Sequence, residues 1–196
     1  MEYRTIQLMT ELNRFIVLDV ETTGFYYYRG DRITDLCAYK ILDGKVIDKF
    51  STLVNPEQKI DSEITEITGI TNDMVKWAKT FPEIAQEFVN FIGYDVIVGH
   101  NISFDWDKFL KPMLKDMCGY DAPNETICTL QLARTFLKGL KSKKLIEVYR
   151  HLTNKEPSVV HRAEADVVLT VEVFNLMRKF IIENKSQISN CYGIEA

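Results

Sequence analysis

Residues 14–20 read Arg-Phe-Ile-Val-Leu-Asp-Val, a short apolar run of β-forming residues that ends in the turn-like stretch Glu-Thr-Thr-Gly-Phe at 21–25. An apolar run of this length, bounded by turn residues, has the pattern of a strand buried inside a sheet. Side chains two residues apart on a strand point to the same face, so Asp19 and Glu21 can converge on one point where the apolar run stops. Two acids at a strand end are also compatible with plain solvation, so the rest of the chain has to decide their role.

The remaining pattern predicts a mixed α/β architecture. Residues 33–42 and 45–54 resemble two strands joined at Asp43-Gly44, a hairpin signal. Asn55-Pro56 breaks that pattern, and Ser62–Thr68 follows as a short helix. Residues 81–92 carry apolar positions at helical spacing, and Asp95–Gly99 reads as another short strand. Ser103–Cys118 fits a helix capped by Ser103. Thr126 opens an extended entry to a helix through about Leu137, and residues 142–152 and 163–180 are two further helices. Strands first, then strand and helices alternating, imply a mixed sheet flanked by helices. Residues 1–12 read as an N-terminal helical arm, 13–182 as the main domain and 183–196 as a polar tail.

At 196 residues the chain suits one domain with a substantial core. No stretch approaches the roughly 20 apolar residues of a membrane span, and the first residues lack the apolar run of a secretory signal. Cys37, Cys118, Cys128 and Cys191 are too scattered for a Cys-x-x-Cys knuckle or a disulfide framework, so the expectation is a cytoplasmic protein with reduced thiols. The 28 acidic residues exceed the 24 Lys and Arg by four, a net charge of −4. Reserving four carboxylates for bound cations balances the remainder, which argues against nonspecific coating of long nucleic acid and not against cutting it.

Two further fragments join the first pair of acids. Gly-His-Asn-Ile-Ser-Phe-Asp at 99–105 places Asp105 just inside a helix start, where a carboxylate also suits the helix dipole. His-Arg-Ala-Glu-Ala-Asp at 161–166 puts His161 and Asp166 five positions apart, about 140° apart on one helix, so His161 reads as a loop residue and Asp166 as one turn into the helix. From a loop a histidine can take a proton from an attacking water near neutral pH. Asp107 reads as a surface residue, His100 and Asn101 as structural, and His151 as a helix residue without a catalytic role. Phosphodiester cleavage with two divalent ions needs several carboxylates, and Asp19, Glu21, Asp105 and Asp166 supply them.

Over residues 14–178 the chain resembles the DEDDh branch of the DnaQ-like 3′–5′ exonucleases, which includes the proofreading exonucleases of the DNA polymerase III epsilon type. The resemblance rests on the segments 18–24, 67–74, 98–105, 126–134 and 161–166 taken in order. It implies an RNase H-like fold with five strands ordered 3-2-1-4-5 and strand 2 antiparallel. It also implies two Mg²⁺ or Mn²⁺ ions, with Asp19 bridging them and Glu21, Asp105 and Asp166 completing the shell, and His161 as general base. Thr22 is similar to a residue that contacts the terminal nucleotide. The implied substrates are single-stranded DNA or other nucleic-acid 3′ ends, RNA among them, with a DNA polymerase as a possible partner and no membrane. Asp35 stands where the family often carries Glu. Tyr26, Tyr27 and Tyr28 follow the first motif; their rings either stack on bases or pack the loop. Lys138, Lys141, Lys143 and Lys144 form the one basic cluster, a candidate phosphate contact or a solvated loop.

Overall fold

The computed structural model describes residues 3–157 and 162–184. The order is α1 (Tyr3–Glu11), β1 (Arg14–Thr22), β2 (Ile33–Leu42), β3 (Lys45–Leu53), α2 (Ser62–Thr68), α3 (Asn72–Val75), α4 (Phe81–Ile92), β4 (Val96–Gly99), a π-helical segment (Ser103–Leu110), α5 (Lys111–Cys118), β5 (Thr126–Cys128), α6 (Thr129–Phe136), α7 (Leu145–Thr153) and α8 (Ala163–Glu183). The sheet runs β3-β2-β1-β4-β5. Strand β2 is antiparallel to β1 and β3, whereas β4 is parallel to both β1 and β5. Both the order and the reversed strand match the expectation.

Strand β1 sits in the middle and is covered on both faces, which is why its sequence is apolar without alternation. Its even residues, Ile16, Leu18 and Val20, pack with Phe81, Phe88 and Ile92 of α4 and with Trp106, Phe109 and Leu114 beyond β4. Its odd residues, Phe15 and Val17, pack on the opposite face with Val167, Val173 and Phe174 of α8. Continuing that odd face brings Asp19 and then Glu21 out from under α8, at the end where that helix starts. The acids are therefore carried by the same period-2 rule that buries the core.

The β2–β3 hairpin turns at Asp43 (φ 51°) and Gly44 (φ 76°), the left-handed pair that a tight hairpin needs to follow the strand twist. Helix α4 starts with Thr80, whose backbone N–H donates to the Glu83 carboxylate at 2.7 Å, a reciprocal cap. Helix α1 is integrated in the domain rather than set apart as an arm. Ile6 and Met9, together with Leu12, are buried with α8, and Arg178 Nε donates to the Met9 carbonyl at 2.7 Å. The polar tail begins with the end of α8 at Glu183 and Asn184, and its residues 185–196 lie outside the described ones.

The segment after β4 departs from expectation. Ser103 does not cap it; the turn opens two residues earlier, where Asn101 adopts φ 65° and its carbonyl accepts the Phe104 N–H at 2.8 Å. The chain then winds as a π segment into α5, a form that often marks functional positions. Among the described residues no helix is long and apolar enough to cross a membrane.

Phe15 and Phe174 are fully buried and meet edge to face with ring centroids 5.0 Å apart. Phe15→Ala is expected to cost about 3–5 kcal/mol through lost burial and a cavity under α8. Urea titration of the variant against the parent checks this, and a loss under about 1 kcal/mol would contradict the assigned packing.

Candidate metal centre

Carboxylate oxygens of Asp19, Glu21 and Asp166 all lie within 4.8 Å of one another. Asp19 and Glu21 come from the odd face of β1. Asp166 comes from the first turn of α8, where its N–H bonds to the Arg162 carbonyl at 3.0 Å. Asp105 is not in that 4.8 Å group but lies near enough for its charge to act on Asp19. Strand β4 pairs with β1 only from Phe15 to Val17, which leaves the Val20 N–H without a strand partner. Asp105 Oδ1 accepts that N–H at 3.0 Å and is itself buried. One bond thus satisfies a buried amide and fixes the fourth acid.

The electrostatics are those of a site built for cations. Burial, followed by the charges of Asp105, Asp166 and Glu21, raises Asp19 well above the usual carboxylate range. Burial and then the charges of Asp166, Asp35 and Asp105 push Glu21 up to about 8, with Arg162 opposing. Burial pushes Asp105 up to about 7 against the pull of the Val20 N–H. Asp19, Glu21 and Asp166 still keep part of their surface open, so the cluster is enclosed without being sealed. Hard divalent cations take oxygen ligands of this kind, and their charge relieves this repulsion. The donor set therefore fits Mg²⁺ or Mn²⁺.

The other candidate residues divide cleanly. Asp107 is exposed. His100 is structural: Nδ1 lies 2.9 Å from Thr129 Oγ1 and Nε2 donates to the Lys143 carbonyl at 2.8 Å, which ties the basic loop to the end of β4. Within that loop Lys138, Lys141 and Lys144 are exposed and Lys143 is half-buried. His151 is exposed on α7. His161 lies outside the described residues.

The turn after β1 is held from within. Thr22 is buried and its hydroxyl donates to the Gly24 carbonyl at 2.6 Å, so it shapes the turn. A Cβ on Gly24 would fall 2.5 Å from the Asp31 carboxylate, which accepts the Tyr26 N–H at 2.8 Å. Tyr27 corrects an expectation: it is 7% exposed and packs into the core, so its ring presents no free face. The open rings are Phe25, Tyr26 and Tyr28, the last 82% exposed. Phe25 also leans on Phe104, next to Asp105, with centroids 6.3 Å apart.

Sequence reasoning left Asp35 without a role. In the sheet Asp35 is directly opposite Glu21, just before the register shift between Glu21 and Thr22. Its buried carboxylate accepts from Arg162 Nε at 3.2 Å; burial pushes its pKa up, opposed by Arg162 and by the nearby Ala163 and Leu36 amides. Arg162 provides no side-chain cap of its own for α8, and the Asp35 carboxylate on the neighbouring strand places a negative charge at that helix N-terminus. The signal was present in the hairpin register, which pairs residues 21 and 35 once the strands are aligned.

A protein-family model described as Exonuclease matches residues 16–174. The DNA polymerase III subunit epsilon of Aquifex aeolicus is 39% identical over 160 residues, covering 82% of this chain and 78% of that protein. A PolC-type DNA polymerase III of Thermotoga petrophila is 37% identical over 180 residues, covering 90% of this chain; the chain spans only 13% of that relative's length. The nuclease domain of 3′hExo, a DEDDh family member solved bound to rAMP, superposes with a TM-score of 0.70 at 15% identity, over 85% of this chain and 92% of that one. That likeness concerns the fold.

Acids whose folded pKa is raised destabilise the fold wherever the unfolded chain has already lost the proton. For Glu21 (ordinary value 4.5, folded about 8) and Asp105 (3.8, about 7) that window runs from about pH 4 to 8. In EDTA the melting temperature is therefore expected to fall as pH rises through that window, and the rise on adding Mn²⁺ is expected to grow with pH. Glu21→Gln should flatten both trends. Melting curves between pH 5 and 8 (roughly the span of the shift) check this; a metal-induced rise that shrinks with pH would contradict it.

Proposed function

The chain belongs to the exonuclease family whose model matches residues 16–174, and on that premise we propose that it shortens nucleic acids from the 3′ end to 5′-mononucleotides. The observation that carries this reading is the convergence of Asp19, Glu21 and Asp166, with Asp105 pinned beside them by the Val20 amide. These four acids are the residues that would hold two divalent ions, Mg²⁺ or Mn²⁺. When bound, the ions supply positive charge that stabilises the attacking and leaving oxygens of a phosphodiester.

The protein's own groups do the rest. Asp19, on which the charges of Asp105, Asp166 and Glu21 all act, would be the shared ligand, with those three completing the shell. His161 takes the proton of the attacking water; its support is its place in the sequence beside Arg162, which is anchored to Asp35 opposite Glu21. Thr22 sets the turn that brings the aromatic residues to the rim. Phe25, Tyr26 and Tyr28 offer faces on which unpaired bases stack, and Arg29 lies over the Tyr26 ring at 4.6 Å from its centroid. Stacking needs separated bases, so single-stranded or frayed DNA is the favoured substrate, with RNA 3′ ends as the alternative. An interior site that engages one strand end also suits a chain without a large excess of basic residues.

A second reading, action as the proofreading partner of a DNA polymerase, is favoured by two relatives named as DNA polymerase III components. A cytoplasmic location accords with the free thiols Cys37, Cys118 and Cys128.

Incubation with 3′-recessed, single-stranded and RNA oligonucleotides labelled at the 5′ end tests the activity. Metal-dependent shortening is expected, and none on any substrate would sink the proposal. Asp19→Asn should lower kcat by roughly a thousandfold or more, the several kcal/mol that a lost metal ligand costs. Asp107→Ala should retain most of the activity. Tyr28→Ala should raise KM for single strands about five- to hundredfold with kcat little changed, the loss of one stacked base. An unchanged KM would remove Tyr28 from the substrate path.

A further inference from the structure

Arg162 is the cation whose charge opposes the upward shift of Glu21, and it sits four residues before Asp166 at the start of α8. Its side chain is 39% exposed and borders a cavity of about 430 Å³ shared with Asp35, Ser51 and Glu164, so it has room to move. What holds it is Asp35, buried in β2 opposite Glu21. The backbone at both ends of this pair is fixed. Lys49 and the Tyr39 hydroxyl both engage the Glu164 carboxylate, two residues after Arg162, and Asp35 is held within strand β2.

An arginine beside a cluster of four carboxylates has two destinations. It can pair with Asp35, or it can swing in and bridge the acids as an internal counter-ion. Its planar fork matches carboxylate pairs well, so the second destination competes directly with a divalent cation. We propose that Asp35 is a positioning residue that sequesters Arg162, keeping the guanidinium away from Glu21 and out of the metal centre that divalent ions would occupy. Asp35 touches neither substrate nor metal in this role; it acts through Arg162. The inference rests on the metal-centre reading above.

The prediction is an epistatic pattern in direct metal binding. Metal-free protein is titrated with Mn²⁺ alone, and free Mn²⁺ is followed by its electron paramagnetic resonance signal. Asp35→Asn keeps the size of the side chain and one carbonyl oxygen but loses the charge that holds Arg162. It is expected to weaken Mn²⁺ binding about tenfold or more, the effect of one unpaired cation close to the acids. Arg162→Gln alone should change affinity less than about twofold, because that charge is already neutralised by Asp35. The double variant should return to within about threefold of the parent.

Three results would overturn the proposal. A double variant as weak as Asp35→Asn means that Asp35 itself binds metal or only anchors α8. An Arg162→Gln variant as weak as Asp35→Asn means that the pair is a strut whose loss misplaces Asp166. Asp35→Glu keeps the charge and tests the same point if the asparagine variant folds poorly: its Mn²⁺ affinity should stay within about threefold of the parent, and a tenfold loss overturns the proposal. If the parent protein binds no Mn²⁺, the metal-centre reading itself falls, a failure distinct from parent binding with the wrong pattern among variants.

Discussion

Burial at the end of β1 makes Asp19, Glu21 and Asp105 costly to ionise, and their repulsion of one another and of Asp166 adds to that cost. Such an arrangement persists only where the surrounding structure holds each member independently. Strand β1 supplies two acids from one face because it is paired on both sides and covered on both faces. The π segment supplies Asp105 and pins it to the Val20 amide. Helix α8 supplies Asp166, and Asp35 secures the start of that helix from the neighbouring strand. The site is a local violation of ordinary stability rules supported by a conventional α/β core, the usual signature of a functional centre.

That support also explains the division of labour around the cluster. The groups nearest the acids are committed: Thr22 to its turn, His100 to the basic loop, Asp35 to α8 and Arg162. The groups left open to solvent are the rings of Phe25, Tyr26 and Tyr28 at the rim. Rigid acids with an open aromatic border suit a reaction in which charge must be placed closely and bases only loosely. A register shift between Glu21 and Thr22 marks the boundary between the two zones.

Much of this was legible in the residues. The apolar run at 14–18 identified the central strand, and alternation placed Asp19 and Glu21 on one face. The Asp43-Gly44 pair located the hairpin to the residue, because few residues adopt its left-handed backbone. Ser103 misled because capping preference is local, whereas the turn there is opened by Asn101 and continues as a π segment. Tyr27 misled for a related reason: three consecutive tyrosines are chemically alike, and only the 3₁₀ turn at Tyr27–Arg29 sends one inward and leaves its neighbours outside. The bond between Asp35 and Arg162 joins residues 127 positions apart and depends on where α8 lands on the sheet. No local pattern encodes that distance.

The central claim is that the four acids form one centre for divalent cations at a nucleotide-processing site. Anomalous diffraction at the manganese edge, from crystals grown with Mn²⁺ and a nucleoside 5′-monophosphate, tests it most directly. The account predicts two manganese peaks among Asp19, Glu21, Asp105 and Asp166, about 3.5–4 Å apart, with the phosphate against them. Manganese bound elsewhere, with these carboxylates engaged only by Arg162 or by one another, would contradict it.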